Sequence, residues 1–182
     1  MKATRTLIHE HDVILQALAV LDILAKRVGG NDLPVADDLG GLLEFFTVFA
    51  DGCHHVKEET ILFPVLQTAG LARGTGPIPM LLEQHEQGRR LVGILRRELP
   101  ALARDAAARQ RFTAAAREFG AMLERHIAME NEGLFVIADG LLSEEQDREI
   151  SAAFDRHEQV VMGADVHRRF HQMLDGLTNK YR

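Results

Sequence analysis

Two stretches of the chain carry the same chemistry. His54-x-x-x-Glu58-x-x-x-Leu62-Phe63 returns as His126-x-x-x-Glu130-x-x-x-Leu134-Phe135, every matched residue 72 positions on. Imidazole and carboxylate are common donors to first-row metal ions, and a carboxylate can bridge two cations. Residues four apart on an α-helix are rotated by only about 40° from one another, so each pair presents both donors in one direction. A lone histidine precedes each copy: Glu10-His11-Asp12 is echoed by Gln84-His85-Glu86, with 43 residues from His11 to His54 and 41 from His85 to His126. Two helical hairpins packed about a pseudo-two-fold axis would bring four imidazoles and two carboxylates together. The natural product is a pair of cations, each with two imidazoles, sharing both carboxylates. The candidate ligands are His11, His54, Glu58, His85, His126 and Glu130. With no thiolate among them the set suits iron, with manganese or zinc left open.

Neighbouring residues compete for the same roles. His55 and Glu59 form a second i,i+4 pair, turned by about 100°, and alignment through Leu62-Phe63 favours His54 and Glu58 over them. Glu59 then reads as a support for a ligand or as exposed. Glu86, beside His85, reads as an acceptor for a ligand imidazole. Arg89 either neutralises a nearby carboxylate or is solvated. His9 competes with His11, and the echo with His85 favours His11. His157, Glu158, His167 and His171 fit an ordinary amphipathic helix, and whether Glu59, Glu158 or His167 joins the site stays open.

The elements that must position these donors are helices. Apolar residues recur at three- and four-residue steps in nearly every segment, and nothing alternates like a strand. The first helix is expected from about Thr4 to Val28, with Leu7, Ile14, Leu18, Leu21 and Leu24 inward. The second runs from about Ala36 to Gln67, with Pro64 expected to kink or end it. The glycine- and proline-bearing stretch from Ala69 to Pro79 is the longest connection; a third helix follows from about Pro77 to Leu99 and a fourth from about Asp105 to Ala138. Ser143-Glu144-Glu145-Gln146 forms a capping box that opens a fifth helix ending near Gly176. The expected fold is all-α: an up-down-up-down four-helix bundle over about 4–138 with an additional C-terminal helix over about 143–176, together one domain spanning 1–182.

Composition narrows the function. Of 182 residues 46% are hydrophobic, enough for one substantial core. The formal net charge of −6 argues against a nucleic-acid binder or an anionic-membrane binder. No run approaches the roughly 20 apolar residues of a membrane span, and the first ten residues lack an apolar signal core, so a cytoplasmic protein is expected. The single cysteine, Cys53, rules out an internal disulfide, a CxxC redox pair and a thiolate zinc site, and reads as a small apolar core residue. Phe45, Phe46, Phe49, Phe63, Phe119 and Phe135 read as core, walling a dry pocket around the metals; the only tyrosine, Tyr181, is at the C-terminus, which argues against a buried tyrosyl radical.

The run from Phe49 through His54, His55, Glu58 and Glu59 to Pro64 resembles the hemerythrin-like (HHE cation-binding) family, as do Glu83 to Arg89 and His126 to Glu130. The resemblance covers about Leu7 to Ala138. It implies a four-helix bundle with a non-haem di-iron centre held by His11, His54, Glu58, His85, His126 and Glu130. Oxygen-carrying members place a second histidine four residues after the third-helix histidine, where this chain has Arg89, and an aspartate at a five-residue step, where it has Glu130 at four. A centre with one imidazole fewer is less suited to reversible oxygen carriage. The expected function is therefore a di-iron site reacting with O2, peroxide or nitric oxide, of peroxidase, catalase-like or oxidase type. The alternative is an oxygen or iron sensor, carrier or iron-delivery module without turnover. The expected partner is a small diatomic or peroxide ligand, and the oligomeric state stays open.

Overall fold

A computed structural model describes residues 1–34, 36–72, 74 and 76–181. Among the described residues it contains six long helices and no strand. α1 (Lys2–Gly29) buries Leu7, His11, Ile14, Leu18 and Leu21, so a single three- and four-step stripe carries both apolar side chains and the first candidate ligand. The second helix, α2, runs without interruption through residues 36–68, α3 spans Pro77–Glu98, and a short 3-10 turn at Leu99–Ala101 closes α3. The fourth, α4, covers residues 106–141, its first turn capped by Asp105, whose carboxylate accepts from the Ala107 N–H at 2.8 Å. These four helices pack α1 to α2, α2 to α3, α3 to α4 and α4 to α1, closing the expected bundle.

The second and fourth helices are not α-helical throughout. Phe46–His55 and Glu58–Leu62 in α2, and Glu130–Leu134 in α4, are wound as π-helix. The wider turns show directly as i→i−5 bonds: the Phe63 N–H reaches the Glu58 carbonyl and the Phe135 N–H reaches that of Glu130. Wide turns of this kind concentrate at functional sites. The pair at Glu58 and Glu130 extends the 72-residue repeat from side chains to backbone. Pro64, expected to kink or end α2, does not end it: the helix continues to Thr68, and the wide turn sits immediately before the proline that cannot donate. The connection after α2 covers 69–76, of which Arg73 and Thr75 lie outside the described residues.

The expected single C-terminal helix is two. Ser143 caps α5 (Glu144–Val161) with the anticipated capping box to Gln146, but the chain breaks at Gly163, whose φ is +61°, and restarts as α6 (Gly163–Lys180). A left-handed residue cannot continue a right-handed helix, and glycine adopts it without steric cost. The break lets the two pieces cover different things. Phe154 of α5 enters one apolar cluster with Leu7, Leu62, Phe63, Leu134 and Phe135. Phe170, Leu174 and Leu177 of α6 enter the other, with Ile14, Leu18, Phe45 and Phe119. Between the two clusters lies a buried polar layer. No helix among the described residues is long and apolar enough to cross a membrane.

Candidate metal centre

All six expected ligands meet in that layer. His11, His54, His85, His126, Glu58 and Glu130 are each buried to 1% exposure or less. Their donor atoms form two groups: His11, His54, Glu58 and Glu130, and Glu58, His85, His126 and Glu130, each within 4.8 Å. The glutamates belong to both. Glu58 places Oε1 3.5 Å from His54 Nε2 and Oε2 3.5 Å from His85 Nε2, so its two oxygens face opposite halves of the chain. Glu130 Oε2 lies 3.2 Å from both His11 Nε2 and His126 Nε2.

The outer nitrogen of every one of these imidazoles is held. His11 Nδ1 meets Asn131 Oδ1 at 2.8 Å, His54 Nδ1 meets Glu10 Oε2 at 2.9 Å, His85 Nδ1 meets Glu59 Oε1 at 2.7 Å and His126 Nδ1 meets Gln84 Oε1 at 2.9 Å. An oxygen acceptor demands a proton on Nδ1, so the neutral ring, the form that binds a metal, directs its Nε2 lone pair inward. This is how metal-bound histidines are oriented in general. Inside the layer His11 Nε2, His54 Nε2 and all four oxygens of Glu58 and Glu130 have no hydrogen-bond partner. His85 Nε2 and His126 Nε2 face each other at 3.2 Å. Buried donors that converge without partners are expensive unless a cation sits among them. The nitrogen and oxygen donors, with no thiolate, fit the metals expected from the sequence.

The supports repeat as the ligands do. The residue before each lone histidine (Glu10, Gln84) holds the imidazole of the following His-x-x-x-Glu, and the residue after each glutamate (Glu59, Asn131) holds a lone histidine of the other hairpin. The ring contacts follow suit: Phe135 stacks on His11 at 5.6 Å and Phe63 on His85 at 6.2 Å. Glu86, expected as an acceptor for an imidazole, is instead exposed and paired with Arg89, because one residue's turn along α3 carries it out of the layer. Gln84 has that role. Asn131 was not anticipated at all, although its place after Glu130, matching Glu59 after Glu58, is readable from the repeat.

Two cations compensate the two carboxylate supports. Lys57 is fully buried and donates to Glu10 Oε1 at 2.5 Å and to Glu158 Oε2 at 3.0 Å. Arg89 donates to Glu59 Oε1 at 2.6 Å and Asp51 Oδ1 at 2.8 Å, so it neutralises carboxylates beside the site rather than being solvated. Glu158 thus stands one step beyond Glu10, outside the donor groups. His167 lies against His171 and Phe49, also away from them. His9 is exposed. Of the six phenylalanines expected around the metals, Phe63 and Phe135 stack on candidate ligand rings, while Phe45 and Phe49 stack on each other in the far cluster. Cys53 is buried, and burial pushes its thiol up to about 12, which leaves it inert as expected.

Burial also sets the proton inventory. It lowers His54 to about 4 against the pull of Glu10, and it lowers His55 and His85 as well. Burial and the neighbouring Glu130 raise Glu58 far above the carboxylate range, whereas His126 and His11 overcome burial at Glu130 and keep it ionised. An imidazole neutral in the fold but protonated when unfolded loses stability for the fold as pH drops from the unfolded value toward the folded one. For His54 that window runs from about 6.5 to about 4 and is worth about 3 kcal/mol. Glu58, protonated in the fold, acts with the opposite sign, but it is one group against three. Metal-free protein is therefore expected to lose stability progressively between pH 6.5 and 4, as urea midpoints at pH 7, 5.5 and 4 would record. A flat profile would mean that these imidazoles already carry protons in the folded layer.

Comparison with known proteins agrees with the geometry. Residues 2–138 match the family model described as hemerythrin HHE cation binding domain. Uncharacterized proteins of Mycobacterium bovis and of two Mycobacterium tuberculosis strains are 27% identical over 169 residues, covering 92% of this chain and 62% of theirs. The chain therefore spans less than two thirds of the length of these curated relatives. No solved structure matches it. The four-helix bundle, the buried histidine–glutamate cluster that could hold metal cations and the match over residues 2–138 point one way: the chain belongs to the hemerythrin HHE cation-binding family.

Proposed function

We propose that the chain holds two iron ions through His11, His54, Glu58, His85, His126 and Glu130 and acts on a small oxidant, with hydrogen peroxide the best match and O2 or nitric oxide as related ligands. One observation carries this: Glu58 and Glu130 each reach imidazoles of both halves, so that two cations would share both carboxylates. Paired iron, when bound, supplies electrons and open coordination positions to such a ligand. The protein's part is to orient and to exclude. Glu10, Gln84, Glu59 and Asn131 fix the four rings, and Phe63, Phe135, Leu62 and Leu134 wall the layer against water. Peroxide dismutation is self-contained: one peroxide is reduced to two waters while a second is oxidised to O2. It therefore needs no organic substrate. A cytoplasmic setting belongs to the same proposal.

A sensor or carrier without turnover is the second reading, and the Lys57 bridge favours it. Glu10 touches His54 and Lys57, and Lys57 touches Glu158 on α5, so a change at the ligands would reach the C-terminal helices through two ion pairs. One experiment separates the two: load the protein anaerobically with Fe(II), add excess peroxide and follow O2 release. Many O2 per protein supports the enzyme. A single stoichiometric oxidation supports the sensor or carrier. Failure to take up iron overturns both.

A further inference from the structure

His55 is the one buried imidazole in the layer that the six-ligand set leaves unused. Its Nε2 has no partner, while its Nδ1 lies 3.4 Å from Asp51 Oδ1. His55, His85 and His126 form a third group of donors within 4.8 Å, and the His55 ring, stacked on His85 at 3.9 Å with 15° between planes, has to tilt to direct both lone pairs at one ion. Resting on the two-metal reading above, we infer that His55 is a third imidazole ligand of the His85/His126 position, making the two metal ions chemically unequal.

The backbone explains how adjacent histidines serve different ions. On an α-helix His54 and His55 would diverge by about 100°, and one would leave the core. Phe46–His55 is π-wound, with more residues per turn and so a smaller angle between neighbours. Both rings stay buried: His54 turns to His11 and His55 to His85. Arg89 locks the second arrangement. It holds Asp51 and Glu59 together, and these are the acceptors behind His55 and His85. The other half of the repeat has no equivalent, because Ile127 stands 72 positions on from His55 and is an apolar core residue. A cavity of about 190 Å³, with His55, Asp51, Phe46 and Gly88 in its wall, leads to this side of the layer.

The test uses Co(II) as the probe, because its unpaired electrons shift the N–H protons of bound imidazoles far from all other signals. Wild-type protein loaded with two Co(II) should show five strongly shifted, exchangeable imidazole N–H resonances, one for each of His11, His54, His55, His85 and His126. His55→Phe keeps the stacked shape and removes the donor. It should bind the first Co(II) as wild type does, bind the second at least ~10-fold more weakly, since even loss of an outer support costs that much, and lose one resonance. Two bound Co(II) with only four such resonances in the wild type, or an unchanged second affinity in the variant, would make His55 a bystander and leave the six-ligand centre standing. No Co(II) uptake by the wild type would overturn the centre itself. If His55→Phe does not fold, the resonance count on the wild type decides alone.

Discussion

Glu130→Gln is expected to leave the protein with less than one metal ion per chain, whereas His11→Ala should leave about one. The difference follows from sharing. Glu130 Oε2 lies at 3.2 Å from imidazoles of both donor groups, so on the two-metal proposal replacing its charged carboxylate by an amide weakens both positions at once. His11 belongs to one donor group only. Glu58→Gln should behave like Glu130→Gln, since its two oxygens divide between His54 and His85. The loss should be visible in stability. A ligand held at about 1,000 times its dissociation constant adds about 4 kcal/mol, which for a chain of this size is about 8–16 °C in melting temperature. Wild-type protein should lose that increment on treatment with a chelator, and the glutamate variants should melt at one temperature with or without it. Metal analysis and paired melts check the result; Glu130→Gln retaining two ions would refute the shared-carboxylate centre.

Lys57→Met should be the most damaging single change away from the ligands. Lys57 is fully buried, and burial pulls its affinity for the proton down, but Glu10 more than offsets this and holds it charged. Without it, Glu10 remains in the interior facing only His54. Breaking a buried pair by removing one partner costs about 3–5 kcal/mol, or about 6–20 °C at the usual conversion for this length. The paired change Glu10→Gln, Lys57→Met removes both charges and should recover most of that stability. It should not recover metal affinity, because an amide holds His54 less strongly than a carboxylate does. Thermal melts and Fe(II) titration of the two single variants and the double variant separate these effects. A Lys57→Met protein as stable as wild type would show that Glu10 is neutral in the fold.

The sequence displays the candidate ligands because metal chemistry restricts residue type and helical geometry restricts spacing. His54, Glu58, His126 and Glu130 are legible from both, and the 72-residue repeat multiplies the signal. Of the supporting residues, Glu59 is legible beside Glu58, and the roles of the others are not. The repeat marks Asn131 as the counterpart of Glu59, but which imidazole Glu10 and Asn131 hold depends on which helices are neighbours and how they are shifted along one another. His55 reads from the sequence as a rival to His54 because an α-helix cannot turn adjacent side chains into one core. The π winding that allows it depends on hydrogen-bond choices that composition does not encode. The break at Gly163 was hidden in a similar way. Val160, Val161 and Met162 continue an apolar run on the sequence side, and only the positive φ at Gly163 reveals that the run turns a corner.

The twin wide turns at Glu58–Leu62 and Glu130–Leu134 bear on ancestry. Two copies of one hairpin, related by a true dyad, would already assemble a complete centre as a homodimer, with each glutamate bridging across the axis. Fusing the copies into one polypeptide removes the demand that they stay alike. Glu10 could then correspond to Gln84, Glu59 to Asn131 and His55 to Ile127, each departure free to adjust one donor group without disturbing its twin.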